Sequence, residues 1–137
     1  MKSLFRLKHE DKGAAALEFA LVAPALILFI VGIAQFGVLF MANNGLRNAV
    51  GEGARYATIY PRPTNAQISQ RLTDGRFGLK PSRITGPTYT PGVSGGVDYI
   101  DITMSYTVTP DFIFFTLSPL TLTETRRAFV HPTPTTT

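Results

Sequence analysis

The sequence predicts an α+β chain: a long apolar N-terminal helix that spans a membrane and runs on into a small exported domain. That domain holds a short second helix and an antiparallel sheet of about three to four strands. Three observations carry this reading. No charged residue occurs between Phe19 and Ala42, and at about 1.5 Å of rise per residue such a run crosses a hydrocarbon core of about 30 Å. Small and apolar residues then recur at helical spacing as far as Ala57. Beyond them, residues 99 to 108 alternate strictly between apolar and polar, the period of a half-buried strand.

The elements follow in order. A basic leader, Lys2, Arg6, Lys8 and Lys12, interrupted by Glu10 and Asp11, precedes Gly13 and the small residues Ala14-Ala15-Ala16. Glu18 stands at the lip of the apolar run, where an ionisable group costs free energy and so marks a candidate functional site. Pro24 removes a backbone hydrogen bond within the span and predicts a kink, which neighbouring helices can accommodate in a membrane. Past the span, Leu46, Ala49, Val50, Gly53, Ala54 and Ala57 form one helical stripe, and Tyr60-Pro61-Arg62-Pro63 ends it. Thr64-x-x-Gln67 is a capping-box pattern opening a short helix with Ile68 and Leu72 on its apolar face and Gly75 as its stop.

Residues 82–89 form a weak strand candidate that Pro87 confines to an edge, and residues 91–96 read as a loop. The strand over 99–108 puts Ile100, Ile102, Met104, Tyr106 and Val108 on one face, with Asp101, Thr103, Ser105 and Thr107 on the other. Residues 120–130 form a second strand, rich in threonine. Between these two strands lies an aromatic segment from Pro110 to Leu120. It is either a connection folded over the sheet to complete the core or an exposed patch, with Phe112, Phe114 and Phe115 as candidate contacts to another subunit or the membrane surface. The predicted organisation is therefore a leader at 1–13, a transmembrane helix at 14–42, an exported domain at 43–130 and a disordered Pro/Thr tail at 131–137.

Charge placement sets the topology. The Lys/Arg excess ahead of the span predicts a cytoplasmic N-terminus and an exported C-terminal region. The net charge of +4 is split evenly between leader and remainder, and the later arginines are scattered without a stripe of interleaved aromatics. A nucleic-acid partner is not expected.

Catalysis has little to stand on. The sequence contains no cysteine, and its two histidines, His9 and His131, fall in the leader and the tail. Asp98 and Asp101 fall on opposite faces of a strand, and no nucleophile-elbow, metal-ligand or phosphate-loop spacing occurs. Glu52 and Arg55, three apart, read as a surface helix pair. No enzyme, cofactor, metal or small-molecule substrate is expected.

The junction at Gly13 carries the functional signal. An ordinary secretory signal has a shorter apolar region and a small-x-small cut after it, which the far end of this run, Leu39-Phe40-Met41-Ala42, lacks. Gly13 followed by small residues, with Glu18-Phe19 five and six positions on, resembles the prepilin class of the Flp (tight-adherence) system. Glu18 to Pro24, together with Gly32, Phe36-Gly37 and the Ala/Gly/Arg-rich stretch from Arg47 to Ala57, is similar to the N-terminal segment of TadE/TadG-like proteins.

The resemblance implies cleavage after Gly13 by a membrane prepilin peptidase, leaving Ala14 as the new N-terminus. It also implies a role for Glu18 and Phe19 in assembly. The function it implies is that of a pseudopilin or minor pilin of the inner, cytoplasmic membrane. Its partners would be the major pilin, a second TadE/TadG-like protein and the pilus assembly machinery. A different class stays open on the residues alone: a membrane-anchored exported domain that binds through its sheet and is neither processed nor assembled. An uncleaved signal anchor would suit that class, and a plain signal peptide is a separate reading of the run.

Overall fold

The computed structural model describes residues 11–112 and 115–132. The leader ahead of Asp11 with His9, the aromatic Phe114, and the tail from Thr133 lie outside the described residues.

One helix, α1, runs unbroken from Asp11 to Ala57, 47 residues, or about 70 Å of continuous rod. It passes through Pro24 without a change of helical assignment. Among the described residues it is the one helix long and apolar enough to cross a membrane. Its two halves live in different surroundings. Phe19, Leu21, Phe29, Ile33, Phe36 and Phe40 are all exposed, whereas Leu46, Ala49, Val50 and Ala57 are buried. Ala42 is the first buried hydrophobic position along the helix.

The second helix, α2 (Asn65–Asp74), begins as its capping box dictates. The Gln67 amide donates to Thr64 Oγ1 at 3.3 Å, and the Thr64 amide donates back to Gln67 Oε1 at 2.9 Å. Ile68 and Leu72 are its buried residues. Gly75 caps it, but with φ −80°, so no left-handed turn requires a glycine there. Close approach does: a Cβ on Gly75 would stand 3.2 Å from the Ala49 Cα. The same reason governs α1. A Cβ on Gly53 would stand 2.6 Å from Leu72 Cδ2, and one on Gly45 would run into the Phe77 carbonyl. Gly45, Ala49 and Gly53, each four apart, form the bare strip against which α2 and its following loop rest.

After a single 3-10 turn at Pro81–Arg83, three strands make an antiparallel sheet in the order β1 (Ile84–Ser94), β2 (Val97–Val108), β5 (Leu120–Phe129). Two short strands, β3 (Asp111–Phe112) and β4 (Phe115–Thr116), pair separately. The central strand β2 shows the expected alternation. Ile100, Ile102, Met104, Tyr106 and Val108 are buried, and the intervening side chains are not. The apolar face is covered by α1, which packs on β2, β5 and α2. This is the helix-on-sheet layering the two apolar faces require.

The expectation for the first strand needs correction. Residues 91–94, read as loop, continue β1 in register: Pro91 pairs with Ile100, Gly92 with Tyr99 and Ser94 with Val97. The prolines are tolerated because β1 is an edge strand, and the ladder shifts register between Thr85 and Thr88, around Pro87. Only Gly95 and Gly96 turn the chain, with φ of 57° and 79°. Positive φ at both central residues of a two-residue hairpin is the geometry that glycine supplies without strain.

The outer face of the sheet is a ladder of polar pairs. Thr103 and Thr125 share a hydrogen bond of 2.9 Å, as do Ser105 and Thr123. Arg127 grips Asp101 through two bonds of 2.8 and 2.9 Å, with its guanidinium 3.7 Å from the Tyr99 ring centroid. On the helix-facing side of β5, the half-buried Glu124 meets Arg126 at 2.9 Å and Arg47 of α1 at 3.6 Å.

Candidate assembly and membrane interface

Gly13 is the third residue of α1, exposed, with open space where a Cβ would go. Glycine is about 1 kcal/mol poorer than alanine as a helix former. The helix is therefore locally weakened at this junction. Ala14, Glu18 and Phe19 are exposed on the helix beyond it. Ala14 and Glu18 stand one turn apart, about 6 Å along the axis. Glu18 has no salt-bridge or hydrogen-bond partner among the described residues. Pro24 sits six residues further along, inside the span.

The aromatic segment takes a form that neither sequence reading anticipated in full. It folds into a two-strand ribbon, Asp111 pairing with Thr116 and Phe112 with Phe115, closed at its base by the Leu117 amide donating to the Pro110 carbonyl at 3.0 Å. Its described residues do not join the core: Phe115, Leu117 and Leu120 are exposed. The ribbon lies along α1 instead of over the sheet. Phe112 reaches the level of Gly32, where its ring edge would be 3.9 Å from a Cβ, and it stacks on Phe115 with ring centroids 4.8 Å apart. The Gln35 side-chain amide donates to the Asp111 carbonyl.

Gln35 holds the ribbon to α1 through this bond and is not among the residues that the sequence singles out. It is the one polar side chain between Phe19 and Ala42, and a lone amide in an apolar run is itself a signal that something will meet it. Of the candidate contact residues, Phe112 and Phe115 stack on each other; Phe114 is outside the described residues.

The ion pairs elsewhere are surface features. Glu52 accepts from Arg55 at 2.8 Å, and this hydrogen bond, then the charge, pulls the Glu52 carboxyl below its ordinary pKa. The hydrogen bond from Arg127 does the same for Asp101. Burial pushes the Tyr89 phenol up, partly offset by its bond with Ser69. Among the described residues no group of three or more His, Cys, Asp or Glu side chains is arranged to hold a metal.

Comparison with known proteins gives one finding. Residues 13–55 match the family model described as TadE-like protein, the family that the sequence resembles. The matched stretch begins at the junction glycine and contains Glu18, Pro24, Gln35 and the bare strip under α2; the sheet and the ribbon lie outside it. No curated protein and no solved structure matches the chain.

Proposed function

We propose that this chain is a TadE-like pseudopilin or minor pilin that takes part in assembling a Flp-type, tight-adherence pilus. The observation that carries the reading is the family match over 13–55, falling on a helix that is single and continuous from the Gly13 junction into the domain core. The chain is anchored in the inner membrane with its N-terminus in the cytoplasm and its sheet domain exported. A prepilin peptidase cuts after Gly13, removing the charged leader and freeing the Ala14 amine.

The exposed apolar half of α1 then packs against other pilin-like helices, the major pilin and a second TadE/TadG-like protein among them. Glu18 sets the register. Its carboxylate, one turn from the new terminus and at the positive end of the helix dipole, pairs with the free amine of a neighbouring subunit. The pair specifies alignment more than it adds stability, because desolvating both charges costs about what their attraction returns.

Two substitutions test the reading. Gly13→Leu should leave a membrane precursor that still carries residues 1–13, visible by intact mass and N-terminal sequencing. Glu18→Ala should be processed and inserted, yet fail to co-isolate with pilin-like subunits. Recovery of Met1 or Lys2 as the terminus of the mature wild-type protein would refute processing and favour the anchored binding domain. Undiminished co-isolation and pilus formation by Glu18→Ala would remove Glu18 from assembly.

A further inference from the structure

We propose that the ribbon formed by Asp111–Phe112 and Phe115–Thr116 is a membrane-inserted foot, seated in the outer leaflet of the bilayer that α1 spans. The inference rests on reading α1 as membrane-spanning, and not on pilus assembly. Its first support is depth. With Glu18 at the inner boundary, about 20 helical residues fill a core of about 30 Å and bring the outer boundary to about Val38. The ribbon touches α1 at Gly32 and Gln35, about 5 to 9 Å on the membrane side of that level. A patch against water would have to lie on the other side.

The second support is that the described residues of the ribbon pair their backbone in the way lipid requires. Non-helical backbone survives at membrane depth only where its polar groups are paired within the protein. Here the two short strands pair with each other, the base is closed by Leu117 to Pro110, and the Asp111 carbonyl is taken by Gln35. That last bond also satisfies the one polar side chain of the span. No charged residue occurs from Phe112 to Thr123. Of the charges that flank this stretch, Asp111 stands at the base of the ribbon, the end nearer the outer boundary, and Glu124 is held by Arg47 and Arg126.

The third support is continuity. Leu117 and Leu120, both exposed, line one apolar groove with Phe36 and Leu39 of α1. Stacked aromatic rings at the acyl–headgroup boundary anchor a protein at a fixed depth. The domain thus stands on the bilayer at two points, its helix and its ribbon, which fixes its tilt.

The chain contains no tryptophan, so single introduced tryptophans report depth without background. The full-length chain is reconstituted into phosphatidylcholine–phosphatidylglycerol vesicles with plain or brominated acyl chains, carrying Phe115→Trp, Phe29→Trp at mid-span, or Val93→Trp at the far end of β1. Phe115→Trp should emit at short wavelength, lose intensity in brominated lipid to an extent comparable with Phe29→Trp, and resist aqueous iodide. Val93→Trp should show the reverse. If Phe115→Trp is quenched by iodide and not by bromine, the ribbon is in water and the proposal fails. If it is shielded from both, another protein surface covers it and the proposal fails equally. If Phe29→Trp itself escapes bromine, the membrane reading of α1 fails, and the foot with it.

Discussion

One methyl group added at Gly51 and at Gly53 of α1 should move stability in opposite directions. In a helix interior, Gly→Ala stabilises by about 1 kcal/mol, because alanine loses less backbone entropy on folding. At Gly51 nothing opposes this, since no heavy atom lies within 4 Å of the new Cβ. At Gly53 the Cβ would stand 2.6 Å from Leu72 Cδ2 and 2.7 Å from Leu72 Cγ. Non-bonded carbons settle at about 3.5 to 4.0 Å, so Leu72 would have to retreat by about 1 Å. It has nowhere to go, being 1% exposed at the centre of the α1–α2 contact. Overpacking of this kind costs about 1–3 kcal/mol, enough to cancel or reverse the helix-propensity gain. The two variants should therefore differ by about 1–3 kcal/mol, or at least several degrees in Tm for a domain of this size. Thermal and urea unfolding of the full chain in detergent micelles, followed by near-ultraviolet circular dichroism, reads the difference. If Gly53→Ala proves as stable as Gly51→Ala, α2 does not rest on α1 at this strip.

Three further outcomes are expected. Ile102→Asp places a charge at a position with 0% exposure and should unfold the domain, whereas Thr103→Asp on the outer face should be mild; equal tolerance in urea melts would invert the face assignment. Tyr89 donates to the Asn65 carbonyl at 3.1 Å and bonds Ser69 Oγ at 2.7 Å, tying β1 to α2, so Tyr89→Phe should cost about 1 kcal/mol. Because the folded Tyr89 pKa is raised by burial, its contribution is complete below about pH 10 and lost as the pH climbs through the folded value. The Phe variant should lack that alkaline loss. Asp101, with its pKa depressed by the Arg127 hydrogen bond, contributes above about pH 4 and loses that contribution on further acidification. An acid titration of Asp101→Asn monitored by unfolding should be flatter there than that of the wild type.

The parts of this fold that sequence shows clearly are those with a strong local signal. The unbroken apolar run, the Thr64–Gln67 box and the alternation of β2 each depend on neighbours in the chain, and each appears where periodicity places it. The far end of β1 does not announce itself, because Pro91 and Gly92 are poor strand formers. What holds Gly92 in the sheet is its cross-strand partner Tyr99, whose ring atoms occupy the space a Cβ would need. That is long-range information, although Gly95-Gly96 was a legible hairpin signal within it. The stripe from Leu46 to Ala57 likewise reads as one apolar face. Only the position of α2 separates the bare Gly45–Ala49–Gly53 strip from the larger side chains beside it. For the candidate site, Gly13 and Glu18 are visible as motif residues, whereas the bond from Gln35 to Asp111 joins residues too distant in the chain for any periodicity to relate them.

The absence of a joint in α1 between its lipid-facing and domain-bearing halves has a geometric consequence. A flexible linker would let the sheet domain swivel freely above its anchor. A continuous helix fixes its azimuth instead, since each residue contributes about 100° of rotation and 1.5 Å of height. The direction in which the sheet faces is thereby slaved to the side of the apolar helix that any neighbour would occupy. Packing chosen deep in the bilayer is read out as orientation tens of ångströms away. Twisting one end of such a rod turns the other, so the domain's heading is a gauge of how its root is seated.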